Sequence, residues 1–206
     1  MATAPIAPAK RGYHHGDLRE ALIASTRQLL TERGVDGFSL TDACRAAGVS
    51  TAAPYKHFRD KQEILREVVK LGFDQLRESS VAACAAAGRG TLSGVVALGH
   101  AYLRFAVGQP AVFRLMFGHH AAVSREEHVV VCGQNCFGAV AGEIELYCRA
   151  HNPTADPRTL ALELWTFVHG AASLKIDEDY DKVSVGLDVE AMIQNVTPRI
   201  LSGRSA

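Results

Sequence analysis

Thr51-Ala52-Ala53, then Tyr55-Lys56-His57, then Lys61 a helical turn further on, form the stretch best suited to chemistry on a polyanion. A phenol, an ammonium and an imidazole can reach phosphate oxygens or base edges, and small residues ahead of them allow a helix N-terminus to come close. A second set, His128, Cys132 and Cys136, is spaced by helical turns and so shares a face with metal-ligand spacing. A third set is Tyr102, Phe105, Phe113, Met116, Phe117, Trp165 and His169. Its bulk and few polar tips have the makeup of a small-molecule pocket, or of an ordinary helical core.

The elements that must position the first set are legible around it. Ser39, with Asp42 three residues on, starts a helix in capping-box fashion. Leu40, Ala43, Cys44 and Ala47 then recur on one face. Gly48 ends that helix where a left-handed backbone is easiest without a Cβ, and Val49 plugs the turn. Ser50 caps a second helix running through Tyr55 to Phe58, with Pro54 in or just after its first turn. Asp60 and Glu63 repeat the capping signal for a third. Two helices about a short glycine turn make a helix-turn-helix, over residues 39–58, whose second helix reads the major groove. The residues expected at DNA are His15, Thr41, Ser50, Thr51, Ala52, Ala53, Tyr55, Lys56, His57 and Lys61, while Phe58 is expected in the core.

Tyr13-His14-His15-Gly16-Asp17-Leu18, Phe38-Ser39-Leu40, Ala46-Ala47-Gly48-Val49-Ser50 and Tyr55-Lys56-His57-Phe58-Arg59-Asp60-Lys61 together resemble the N-terminal domain of TetR/AcrR-type transcriptional regulators. The resemblance covers residues 17–76. Trp165 with His169-Gly170, and the segment from Tyr102 to Phe117, resemble the subgroup with a Trp-His-Gly signature, here stretched by Thr166, Phe167 and Val168. It implies an all-α homodimer. A flexible N-terminal arm (1–16) precedes the DNA-binding domain (17–76), and a helical ligand-binding and dimerisation domain (77–206) follows. It further implies double-stranded operator DNA, palindromic for a dimer, and a small-molecule effector as partners. The long third helix would link the two domains. Positions 51–53 vary across that family, so no operator sequence is implied.

The charge pattern agrees with a DNA-facing end. The 206 residues carry no net charge, yet residues 1–61 hold nine Lys/Arg against six Asp/Glu, a net +3. The remainder holds thirteen against sixteen, a net −3. His14, His15 and His57 can add positive charge beside phosphates. Five cysteines scattered through helical patterns suit a reducing cytoplasm better than a disulfide framework. Residues 1–10 read as a flexible tail rather than a signal peptide, and no apolar run is long enough to span a membrane.

Beyond the DNA-facing end, helices are expected from Lys61 to Ala87, Thr91 to Val107, Pro110 to about Gly118, Ser124 to Ala150, Pro157 onward, and Leu187 to Leu201. The spacing predicts a loop over residues 119–124, a charged connector over 175–184, and a kink or early end at Pro198. The helix from Pro157 is apolar so widely that it must bury two sides, one on its own core and one on a partner subunit. Leu164, Val168, Ala171, Met192 and Val196 are the residues expected at that interface. Cys132 and Cys136 read better as core residues than as metal ligands, because a fourth ligand at suitable spacing is absent. No strand alternation, repeat, phosphate loop, nucleophile elbow or zinc-protease motif stands out, so neither catalysis nor a cofactor is expected. The function so read is a sequence-specific DNA-binding regulator, a repressor released by a small hydrophobic ligand. The alternatives are a metal-responsive regulator using the Cys132/Cys136 face, or a ligand-binding module without DNA recognition.

Overall fold

The structure is a computed structural model that describes residues 15–50, 57–118, 123 and 126–202, with side chains from Leu18 onward. Every regular element among these residues is a helix: α1 (His15–Arg33), α2 (Leu40–Ala46), α3 (Lys61–Ala87), α4 (Leu92–Gly108), α5 (Pro110–Phe117), α6 (Glu127–His151), α7 (Pro157–Ile176), α8 (Asp179–Val183) and α9 (Val189–Leu201). The chain divides into two compact units, one ending at Ile64 and the other beginning at Leu65. That division falls inside α3, nearer the N-terminus than the boundary expected at 76.

The first unit is built around α1 and α2. Leu22, Ile23, Leu29 and Leu30 of α1 are buried, as are Leu40, Ala43 and Cys44 of α2 and Phe58 beyond it. Thr26 is also buried, and its hydroxyl donates to the Leu22 carbonyl, so its polar group is not stranded. Gly34 ends α1 with φ +70°, a conformation that disfavours any side chain.

In the second unit α4 is the central helix, packing on α7 and α9, while α6 packs on α7. Cys84, Val95, Leu98, Ile144, Cys148, Leu160, Ala161 and Leu201 form one apolar cluster here. The expected stops hold for local reasons. Gly88 and Gly90 take φ +108° and +69° after α3, and Thr91 caps α4 by accepting from the Gly94 N–H. Asp156 caps α7 by accepting from the N–H groups of Arg158 and Thr159, with Pro157 in the first turn.

Three expectations need correcting. The long helix begins at Glu127 rather than Ser124 and reaches His151. The charged connector carries a short helix of its own, α8, entered through Glu178 at φ +57°. Finally, of the kink or early end expected at Pro198, the early end does not occur, because α9 runs through Pro198 to Leu201. The proline removes only one donor near the end of the helix, and the Ser202 N–H still closes on the Pro198 carbonyl. The loop expected over 119–124 lies outside the described residues except for Val123, which is helical rather than loop and is buried.

Candidate DNA-reading head and effector cavity

The first half of the DNA-reading motif is assembled as its sequence demands. The Asp42 N–H donates to the Ser39 hydroxyl oxygen at 3.2 Å, and the Ser39 N–H returns a bond to the Asp42 carboxylate at 2.8 Å. The Ser39 hydroxyl also donates to that carboxylate at 2.6 Å. These Ser39 bonds hold the Asp42 carboxyl below its ordinary range. At the other end Gly48 sits at φ +68°. The Val49 N–H reaches the Cys44 carbonyl at 3.0 Å and the Gly48 N–H reaches that of Arg45 at 3.1 Å. This paired closure is a Schellman turn, and it fixes the direction in which the chain leaves α2 toward Ser50. Past the motif, the Asp60 carboxylate accepts from the Glu63 N–H at 2.7 Å and starts α3.

The expected DNA residues divide accordingly. Thr51, Ala52, Ala53, Tyr55 and Lys56 lie outside the described residues, as does the side chain of His15. Thr41 is half-buried in the first turn of α2, Ser50 is exposed just after the Schellman turn, and His57 is half-buried. Lys61 also plays a structural part, since its ammonium donates to the Phe38 carbonyl and lies 4.3 Å from the centre of the Phe38 ring. It thereby ties the start of α3 to the segment before α2, which sequence spacing does not reveal.

In the second unit α3, α4, α5, α6, α7 and α9 line a partly open cavity of about 320 Å³. Its wall is apolar and aromatic, with Phe73 and Leu76 from α3, Leu98 from α4, Phe137 and Ile144 from α6, and Ile193 from α9. Of the expected pocket residues, Tyr102, Phe117 and Trp165 line it. Phe113 and His169 stand behind them in one aromatic stack: Phe113 is 5.0 Å from Phe117 and 5.2 Å from His169, centre to centre. Phe105 and Met116 are buried but are not in the wall. The contribution of α3 went unseen because Phe73, Leu76 and Ser80 recur at the same helical spacing as any core face.

One hydrogen-bonded chain organises the polar edge of this cavity. The Trp165 indole N–H donates to the Tyr102 hydroxyl oxygen at 3.3 Å, and that oxygen lies 2.8 Å from His169 Nδ1. With its oxygen already accepting from Trp165, the phenol directs its proton to Nδ1, which assigns the His169 proton to Nε2. Burial pushes the imidazole below its ordinary pKa and the phenol above its own, so both are neutral here.

His128, Cys132 and Cys136 recur at single-turn spacing along α6. Cys136 lies in the cavity wall, and burial pushes its thiol up to about 11. Burial raises Cys132 as well, and His128 is exposed. Among the described residues no three His, Cys, Asp or Glu side chains converge on a metal-sized site.

The interface expected on α7 and α9 is partly consumed within one chain. Val168 is 7% exposed and Ala171 2%, so they offer a partner almost no surface. Leu164, Met192 and Val196 are half-buried. The exposed large apolar side chains of α6 and α7 are Val130, Val131, Leu162, Trp165 and Leu174. Among the described residues no helix is long and apolar enough to cross a membrane.

An all-helical protein with a capped DNA-reading head and a cavity-bearing body has known counterparts. A family described as "Bacterial regulatory proteins, tetR family" matches residues 22–68. Another, "Tetracyclin repressor-like, C-terminal domain", matches residues 95–197. The chain belongs to the TetR family and is a transcriptional regulator with an N-terminal DNA-binding domain. Over 53 residues it is 38% identical to the HTH-type transcriptional repressor BepR of Brucella suis biovar 1 (strain 1330), covering 26% of this chain and 25% of that protein. The match thus spans a quarter of that repressor's length. A protein of unknown function from Rhodococcus sp. RHA1 is similar along nearly the whole chain, with TM-score 0.81, 30% identity, and 94% and 98% of the two chains covered. The TetR family regulator PfmR from Thermus thermophilus shares the fold at TM-score 0.63 and 16% identity, covering 90% and 99%.

Proposed function

We propose that this regulator is a cytoplasmic homodimeric repressor that holds a palindromic operator and releases it when a small hydrophobic effector enters the cavity. The observation that carries the reading is the apolar cavity partly lined by α3, a helix continuous from Lys61 to Ser80 in the cavity wall. A ligand that favours one setting of that helix changes operator affinity, and by linkage the operator changes ligand affinity by the same factor. The exposed apolar residues Leu162 and Leu174 of α7, with Val130 and Val131 of α6, supply dimer surface beyond Leu164, Met192 and Val196. Trp165, His169 and Gly170 serve as the Trp-His-Gly signature, which the joint engagement of Tyr102 by Trp165 and His169 supports.

At DNA, Tyr55, Lys56 and Lys61 take phosphates, with His15, Thr41, Ser50 and His57 alongside, and Thr51, Ala52 and Ala53 face base edges. Titration of labelled operator at several salt concentrations tests the assignment. Tyr55→Phe and Lys56→Ala are expected to weaken binding across sequences, and Lys56→Ala to lower the salt slope by up to about one. Parent-like affinity and slope in both variants would show the contacts to be wrong. Lys61→Ala is expected to cost stability as well, because the Phe38 carbonyl loses its donor.

A further inference from the structure

The polar side chains in the cavity wall are all engaged or solvent-exposed, with one exception. The indole N–H of Trp165 and the hydroxyl of Tyr102 are committed to each other and to His169. The Thr197 hydroxyl donates to the Ile193 carbonyl at 2.8 Å. Gln134 and Arg158 are exposed, and the Cys136 thiol is a weak donor. Ser80 remains. It is 2% exposed, lies in the wall, and its hydroxyl has no hydrogen-bond partner among the described residues. A helical serine ordinarily donates to the carbonyl one turn back, which for Ser80 is that of Leu76. The neighbouring Ser79 hydroxyl already donates to that carbonyl, at 3.1 Å. A wall hydroxyl that no protein group engages is open to a group that enters the cavity, either as donor or as acceptor.

The wall is as informative in what its buried part contains. Arg158, its single charged side chain, is exposed. The buried carboxylate of Glu143, beside Ile144, lies outside the wall and is paired with Arg89 at 2.8 Å. A charged group taken past Arg158, whose guanidinium lies over the Phe137 ring, would meet no opposite charge among the buried wall residues. We propose that Ser80 anchors the effector, and that the effector is an uncharged, mainly apolar molecule whose hydrogen-bonding oxygen seats on that hydroxyl. The assignment rests on the cavity being the effector site.

Trp165 is the chain's single tryptophan and stands in the wall, so its emission reports occupancy. The probes are methyl nonyl ketone, the hydrocarbon in which a methylene group replaces its carbonyl oxygen, and the carboxylate with the same nonyl tail. The ketone is expected to bind the native protein about tenfold more tightly than the hydrocarbon, with the carboxylate weakest. Ser80→Ala is expected to bring ketone and hydrocarbon to within about twofold, with an unchanged circular dichroism spectrum. Equal binding of ketone and hydrocarbon to the native protein overturns the anchor and leaves the cavity as the site; that ratio needs no variant to fold. A ketone preference that survives Ser80→Ala overturns it too. Tightest binding by the carboxylate, lost in Arg158→Gln, overturns the uncharged ligand. No response to any of the three probes overturns the cavity reading and this inference with it.

Discussion

His169 is a base placed where protonation is costly. Its Nδ1 takes the Tyr102 phenol, its ring packs 4.8 Å from Phe117, and burial lowers its pKa from the ordinary 6.5. Below pH 6.5 the unfolded chain binds a proton that the folded chain resists, so stability falls as pH drops through 6.5 toward the folded value. The contribution is fully present above 6.5. His169→Asn keeps an acceptor for the phenol and removes the titration. Thermal denaturation across that range is expected to show a decline in the native protein that the variant lacks; parallel curves would reject the buried neutral imidazole. At this scale the site was partly legible. Tyr102, Phe117 and Trp165 announce themselves as bulky residues with polar tips. Ser80 does not, because its meaning depends on Ser79 having taken the Leu76 carbonyl, a competition that no spacing rule encodes.

At the scale of elements, the junction between α3 and α4 shows how tightly local signals specify the fold. The Gly88 carbonyl accepts from the Thr91 hydroxyl at 2.8 Å, while Thr91 caps the helix through the Gly94 N–H. A Cβ on Gly94 would fall 2.2 Å from that same carbonyl oxygen. Helix propensity alone predicts that Gly94→Ala stabilises the protein by up to about 1 kcal/mol. The clash predicts the opposite sign, a loss of roughly 1–3 kcal/mol, and chemical denaturation distinguishes them. Helix starts and stops were the most legible part of the chain, because Ser39, Thr91 and Asp156 caps and the glycines after α1, α2 and α3 act on their immediate neighbours. The short α8 was hidden because its charged residues carry no apolar stripe. The two roles of the α7 face were hidden for a different reason: apolar periodicity says that a residue is covered, not whether its own chain or a partner covers it. Val168 and Ala171 prove to be covered from within.

At the scale of the whole molecule, a neutral chain carries a DNA-reading head because its charge is divided, +3 over residues 1–61 and −3 over the rest. For the homodimer proposed above, so small an excess makes operator affinity depend on salt and on two heads binding together. A homodimer then demands a two-fold target, and the half-site spacing follows from the protein's own symmetry. The most direct test is selection of bound duplexes from a random DNA library by the full-length protein at a fixed, near-physiological salt concentration. Enrichment of one inverted repeat, with base preferences that shift in Thr51 or Ala53 variants, is the predicted result. Recovery of an unenriched library, or of a motif that those variants leave unchanged, would contradict the placement of residues 51–53 at base edges on a dimeric operator.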